Sequence, residues 1–85
     1  MVGGDHVDTI YVIGYTFFDE IDKKYKIHYL VANPFWIVPT LQRATWYKNP
    51  YNAQHDMRRV RKFERFKNGE LDVLRVHIRR EAIHI

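Results

Sequence analysis

The chain predicts an α+β fold: a two-layer sandwich in which one helix packs on one face of a mainly antiparallel sheet of three or four strands, in the order β-β-(β)-α-β. Three observations carry this expectation. Two β-branched and aromatic runs flank a short acidic turn, a single punctuated helical stretch occupies residues 49–69, and one more alternating run follows it. Eighty-five residues with 46% hydrophobic and 15% aromatic content make one packed domain with a single core. With no cysteine, neither a disulfide nor a cysteine-based zinc site can brace that core.

Residues 1–8 are polar and glycine-containing and read as a flexible tail ahead of a domain spanning 9–85. Residues 9–18 are apolar on both faces, as a central strand requires, and Gly14 in their middle marks a bulge or a close backbone approach. After an acidic turn at 19–23, residues 24–32 alternate, with Tyr25, Ile27, Tyr29 and Val31 on the expected core face and Lys24, Lys26 and His28 on the other. Asn33-Pro34 ends that strand. Residues 35–38 form a short third strand stopped by Pro39, and a further short strand around 44–47 leads into the helix.

The helix is the best-punctuated element. Asn49 can accept a capping bond, Pro50 suits the first helical position, and Asn68-Gly69 supplies a stop. At 100° per residue Ala53, Met57, Val60 and Phe63 share a packing face, while Arg58, Arg61, Lys62 and Arg65 form a cationic stripe. The last strand, 70–78, places Leu74, Val76 and Ile78 on the core face and Val73, Arg75, His77 and Arg79 on the other. Trp36, Trp46, Phe63 and Phe66 are assigned to packing, with Trp46, Tyr47 and Tyr51 as exposed exceptions near the helix start.

The run from 11 to 78 resembles a broad group of small phage- and prophage-encoded proteins. In these a hairpin is followed by a tryptophan-bearing segment, an alanine-aromatic step, an alanine early in a helix and a final strand. The corresponding residues are Tyr29-Leu30, Trp36, Leu41, Ala44-Thr45, Tyr47, Ala53 and 73–78. The resemblance covers about four fifths of the chain. It implies a phage-like accessory protein acting in the host cytoplasm and transfers no catalytic residue.

Serine is absent as well as cysteine, so the two commonest side-chain nucleophiles are missing. His28, His55 beside Asp56, and His77 are the acid–base candidates, but neighbours in sequence on a helix do not face each other. Asp5, His6 and Asp8, with His77 and His84, could gather on a cation, yet no metal-ligand spacing occurs. Residues 10–14 superficially resemble the GIY-YIG nuclease signature, incompletely and with no glutamate helix after them, and no phosphate-loop motif is present. The expectation is a non-enzymatic protein with neither cofactor nor metal.

Charge carries the functional expectation. The net charge of +4 divides into −2 over residues 1–42 and +6 over residues 43–85. A phosphate backbone is the expected partner, DNA or RNA, contacted by Arg58, Arg61, Lys62 and Arg65, with Arg75 and Arg79 secondary. The strip Arg75, His77 and Arg79 would look outward beside Lys24, Lys26 and His28 if the helix packs on the opposite sheet face. The alternatives are an inhibitor that binds an acidic host or defence protein through the same arginines and Trp46, Tyr47 and Tyr51, and a sponge for an anionic nucleotide signal. No leader-like run or ~18-residue apolar stretch is present, so a cytoplasmic protein without a membrane partner is expected, and open sheet edges allow a homodimer.

Overall fold

The computed structural model describes residues 6–80, and the side chains of 8–78. Its axis is the strand His6–Asp19 (β1), which turns back into Lys24–Val31 (β2), followed by Trp36–Val38 (β3), the helix Pro50–Val60 (α1) and the strand Gly69–Arg80 (β4). The sheet order is β3-β2-β1-β4 with every pair antiparallel. This is the α+β sandwich that the sequence predicts. β1 already begins at His6, because the β1–β4 ladder runs unbroken from His6↔Arg80 to Phe17↔Gly69. Residues 6–8 therefore belong to the sheet, and residues 1–5 of the expected tail lie outside the described residues.

The β1–β2 turn is built by Asp19. Its carboxylate accepts the backbone N–H groups of Ile21 and Asp22 at 2.8 and 3.1 Å, a local turn that aspartate favours. Lys26 pairs with Asp19 at 2.8 Å and also with Asp22. These bonds hold the Asp19 carboxyl down to about 2, the hydrogen bond from Lys26 contributing most, and raise the Lys26 ammonium.

Beyond Gly14 the β1 and β2 strands part, and the segment after a 3₁₀ turn at Leu41–Arg43 fills the gap. Tyr11 and Tyr47 exchange both backbone bonds, at 2.7 and 2.8 Å, and Thr45 donates its N–H to the Leu30 carbonyl at 3.1 Å. The Thr45 hydroxyl oxygen in turn accepts the Ala32 N–H at 2.8 Å. The expected strand near 44–47 is thus a single bridge wedged into the sheet. The connection from β2 to β3 contains a cis Asn33–Pro34 bond.

α1 opens as its sequence dictates, with the Asn49 side chain accepting the Tyr51 N–H at 2.7 Å and Pro50 in the first turn. It closes at Val60, nine residues short of the expected stop. Phe63 turns extended (ψ 134°) and a 3₁₀ turn follows at Glu64–Phe66. The reason is Phe66. On a continued helix it would point about 120° away from Val60, off the packing face, whereas the break delivers it into the core at 3% exposure, edge-on to Tyr15 at 5.5 Å. Gly69 is not a helix stop but the first residue of β4: a Cβ there would lie 2.5 Å from the Thr16 carbonyl oxygen and 2.6 Å from the Tyr15 ring.

The core lies between α1 and one sheet face: Ile13, Tyr15, Leu30, Ala53, Val60, Phe66 and Leu71, with Tyr11, Phe17, Ile37, Tyr47, Met57 and Val73 packed against it. The register then reverses the expected faces of two strands. Leu30 and His28 of β2 look toward the helix while Tyr25, Ile27, Tyr29 and Val31 look away; Leu71 and Val73 of β4 look inward while Leu74, Val76 and Ile78 look away. β4 is apolar on both faces, whereas β2 brings only Leu30 into the core on the side that also carries Lys24, Lys26 and His28; the helix covers the faces that align with Ile13 and Tyr15 of β1. Gly14 is a close approach on the uncovered face, where its missing Cβ makes room for Leu74 Cδ1.

Candidate nucleic-acid interface

The cations of α1 and the turn after it stand on the outer surface of the helical layer. Arg58, Arg61 and Lys62 are all exposed, and none makes an ion pair among the described residues. Arg61 closes the helix by donating its backbone N–H to the Met57 carbonyl at 3.0 Å, so it extends the helical surface by one residue. It also borders a shallow groove along β4 that it shares with Lys67, Glu70 and Asp72, which softens the positive potential on that side.

Arg65 does not belong to the stripe that helical periodicity assigns it to. It lies in the 3₁₀ turn, donates Nη2–H to the Phe35 carbonyl at 2.8 Å, and sets its guanidinium 5.3–5.7 Å from the rings of Trp36, Phe63 and Phe66. Its work is to tie the turn to the β3 edge. Arg59, which the stripe omits, does related work: it lies 5.4 Å from the Phe35 ring centre and 3.7 Å from Asp56. Only side-chain contacts, not spacing, distinguish these two arginines from Arg58 and Arg61.

The second basic strip is also relocated. Arg75 and His77 pair in register with Tyr11 and Thr9, and Tyr11 packs in the core, so the strip is on the helix side of the sheet rather than outward on the bare face. Both are exposed because α1 starts after Tyr47 and leaves the far end of that face uncovered. His77 bonds to the Thr9 hydroxyl at 3.1 Å. The Arg79 side chain lies outside the described ones.

Of the three aromatics expected at the surface, Tyr51 is 74% exposed and Trp46 39% exposed with its indole N–H donated to the Leu41 carbonyl at 2.9 Å. Tyr47 is not free: it is half-buried and donates its hydroxyl to Asp56 at 2.6 Å, an arrangement whose burial and neighbouring carboxylate push the phenol well above its usual pKa. Of the aromatics assigned to packing without exception, Trp36 and Phe63 are at the surface instead and Phe66 is buried.

Acid–base chemistry finds no assembled site. His28 and His77 are aligned with Tyr15 and Thr9 of β1, about 20 Å apart along the strand, and Asp56 serves Tyr47 and Arg59 rather than His55. Asp8 and His77 occupy opposite sheet faces, and no group of three metal-capable side chains occurs among the described residues. Asp5 and His84, and the side chain of His6, fall outside them. No helix among the described residues is long and apolar enough to cross a membrane. What fold and surface define together is a small α+β domain with a basic helical layer. Comparison with protein-family models, with curated proteins and with solved structures gives no match.

Proposed function

We propose that the chain is a non-enzymatic binding protein, of the phage-accessory kind its sequence resembles, that contacts the phosphates of nucleic acid through Arg58, Arg61 and Lys62. The observation that supports this is three exposed, unpaired cations on one rigid helix end, with Arg75 adding charge at the far end of the same layer. α1 is about 16 Å long, so the two groups can meet phosphates of one strand without the protein changing shape. Such contacts position a backbone and read no sequence.

The test measures binding of labelled single- and double-stranded DNA and RNA at two salt concentrations, comparing wild type with Arg58→Ala/Arg61→Ala/Lys62→Ala. Arg65 is left in place because its loss would disturb the turn. Three neutralised phosphates on duplex DNA give a log–log salt slope of about −2.7. Binding that falls along that slope and is lost in the triple variant supports the reading; absence of binding at low salt sinks it. An inhibitor of an acidic host protein is the second reading, favoured by the exposure of Tyr51 in the first turn of the same helix, and it predicts a single partner whose affinity drops on Tyr51→Ala.

A further inference from the structure

The sheet face turned away from α1 has no layer over most of its area, and it is apolar. Phe18, Tyr25, Ile27, Tyr29, Leu74, Val76 and Ile78 alternate onto it across β2, β1 and β4. Phe18 and Tyr25 meet ring to edge at 5.2 Å, Leu74 and Ile27 converge over Gly14, and Tyr25 and Ile27 are 74% and 46% exposed. Only Ile10 and Val12, the buried hydrophobics that lie outside the helix-side core, are deeply covered there, at the end where Trp46 shares a groove with Ile10.

We propose that this face is the self-complementary interface of a homodimer of the chain, two sheets packed face to face about a twofold axis running along β1. Three features select a second copy. The first is size. Strands spaced ~4.8 Å apart, with about six alternate positions on β1 and on β4, about four on β2 and about two on β3, give about 600 Å² per copy, or about 1,200 Å² for the pair, the lower bound of a specific interface.

The second is charge. The charged side chains described on this face are Asp8, Glu70 and Asp72 against a single cation, Lys48, at the Trp46 end, so the face is net acidic and an anionic membrane surface or a phosphate backbone is repelled. The third is pattern. A twofold axis along β1 lays β2 of one copy over β4 of the other at the same level along the strand, so Ile27 and Tyr29 face Glu70 and Asp72. A tyrosine and a carboxylate together span the ~10 Å between packed sheets, so the hydroxyl of Tyr29 can donate to Asp72 of the other copy. The free edge of β4, interrupted by the charges of Glu70, Asp72, Arg75 and His77, is guarded against the alternative of edge-to-edge pairing.

The experiment is sedimentation equilibrium of the full chain from about 1 to 200 µM, the range over which an interface of this size fills. The expected mass is twice the 10.4 kDa of the chain. Ile27→Lys and Tyr25→Lys, both at exposed positions and checked by circular dichroism, weaken association at least about tenfold. Tyr29→Phe keeps the apolar area and weakens association by about fivefold through the lost hydroxyl. A monomer throughout overturns the proposal, as does a dimer indifferent to Ile27→Lys, which would place the contact at a strand edge. Arg58→Ala/Arg61→Ala/Lys62→Ala leaves the dimer intact, so loss of nucleic-acid binding and loss of dimerisation are read independently.

Discussion

Gly69 stands where β4 leaves the Phe66 turn, and nothing larger fits against the Thr16 carbonyl and the Tyr15 ring. Gly69→Ala is expected to lower stability by about 1–3 kcal/mol, read as a fall in Tm, because a backbone oxygen and a buried ring must both move. Gly14→Ala meets only side-chain ends, chiefly Leu74 Cδ1 at 2.6 Å, and should cost less. Two ionisable residues set the limits in pH. The Asp19 carboxyl, held at about 2 by Lys26 and two backbone N–H groups, contributes stability that is complete above its ordinary value of about 3.8 and is lost as pH falls through 2. Acid titration followed by circular dichroism should show that loss, and Asp19→Asn should flatten it. Tyr47 works from the other side: its raised pKa favours the neutral phenol in the folded state, so stability is intact below the ordinary tyrosine value of about 10 and declines above it. Tyr47→Phe should remove that alkaline decline and cost about 1–2 kcal/mol at neutral pH by leaving Asp56 with only its longer contact to Arg59.

At the scale of elements, β1, β2 and the start of α1 were legible because each carries a local signal: β-branched and aromatic runs, an acidic turn, an asparagine-proline cap. What was not legible depends on two elements meeting. Nothing in the alternation of β4 distinguishes Leu71 and Val73 from Leu74, Val76 and Ile78 as the buried set, since the choice lies with the helix. Likewise Phe63 fits the apolar period of α1 by coincidence, and only the need of Phe66 for the core explains why the helix stops at Val60. The same break separates Arg65 from Arg58 and Arg61, which is why four arginine and lysine positions on one helical period divide into three cations without a bonded partner and one clamp. Arg65→Lys keeps the charge but not the planar fork and the ring stacking, so it should destabilise by about 1–2 kcal/mol in thermal denaturation. In nucleic-acid binding at constant salt, the same variant should fall less than the Arg58→Ala/Arg61→Ala/Lys62→Ala protein.

The whole molecule is a slab 18 Å thick, one sheet and one helical layer, with its charges sorted between the two sides. Arg58, Arg61, Lys62, Arg75 and His77 lie on the helix side, and the opposite side is apolar with an acidic border. A dimer built through that opposite side would turn two basic surfaces outward in opposite directions. Occupancy of both would join separate duplexes or distant stretches of one, the latter visible as compaction in single-molecule extension measurements at low salt and absent from Ile27→Lys, which keeps its phosphate contacts but not its second copy.

The longest ladder in the sheet pairs His6 with Arg80, so the two ends of the described chain lie side by side on neighbouring strands. A short glycine-serine loop could join them as an ordinary antiparallel hairpin, and the exposed Asp19–Lys24 turn could be opened instead. Such a rearranged gene product would retain every pairing of β1 with β4 while sacrificing only the hairpin closed by Asp19. Early β1–β4 pairing would change from the most distant contact in the chain to a local one, and a stopped-flow refolding rate faster than wild type is the expected result.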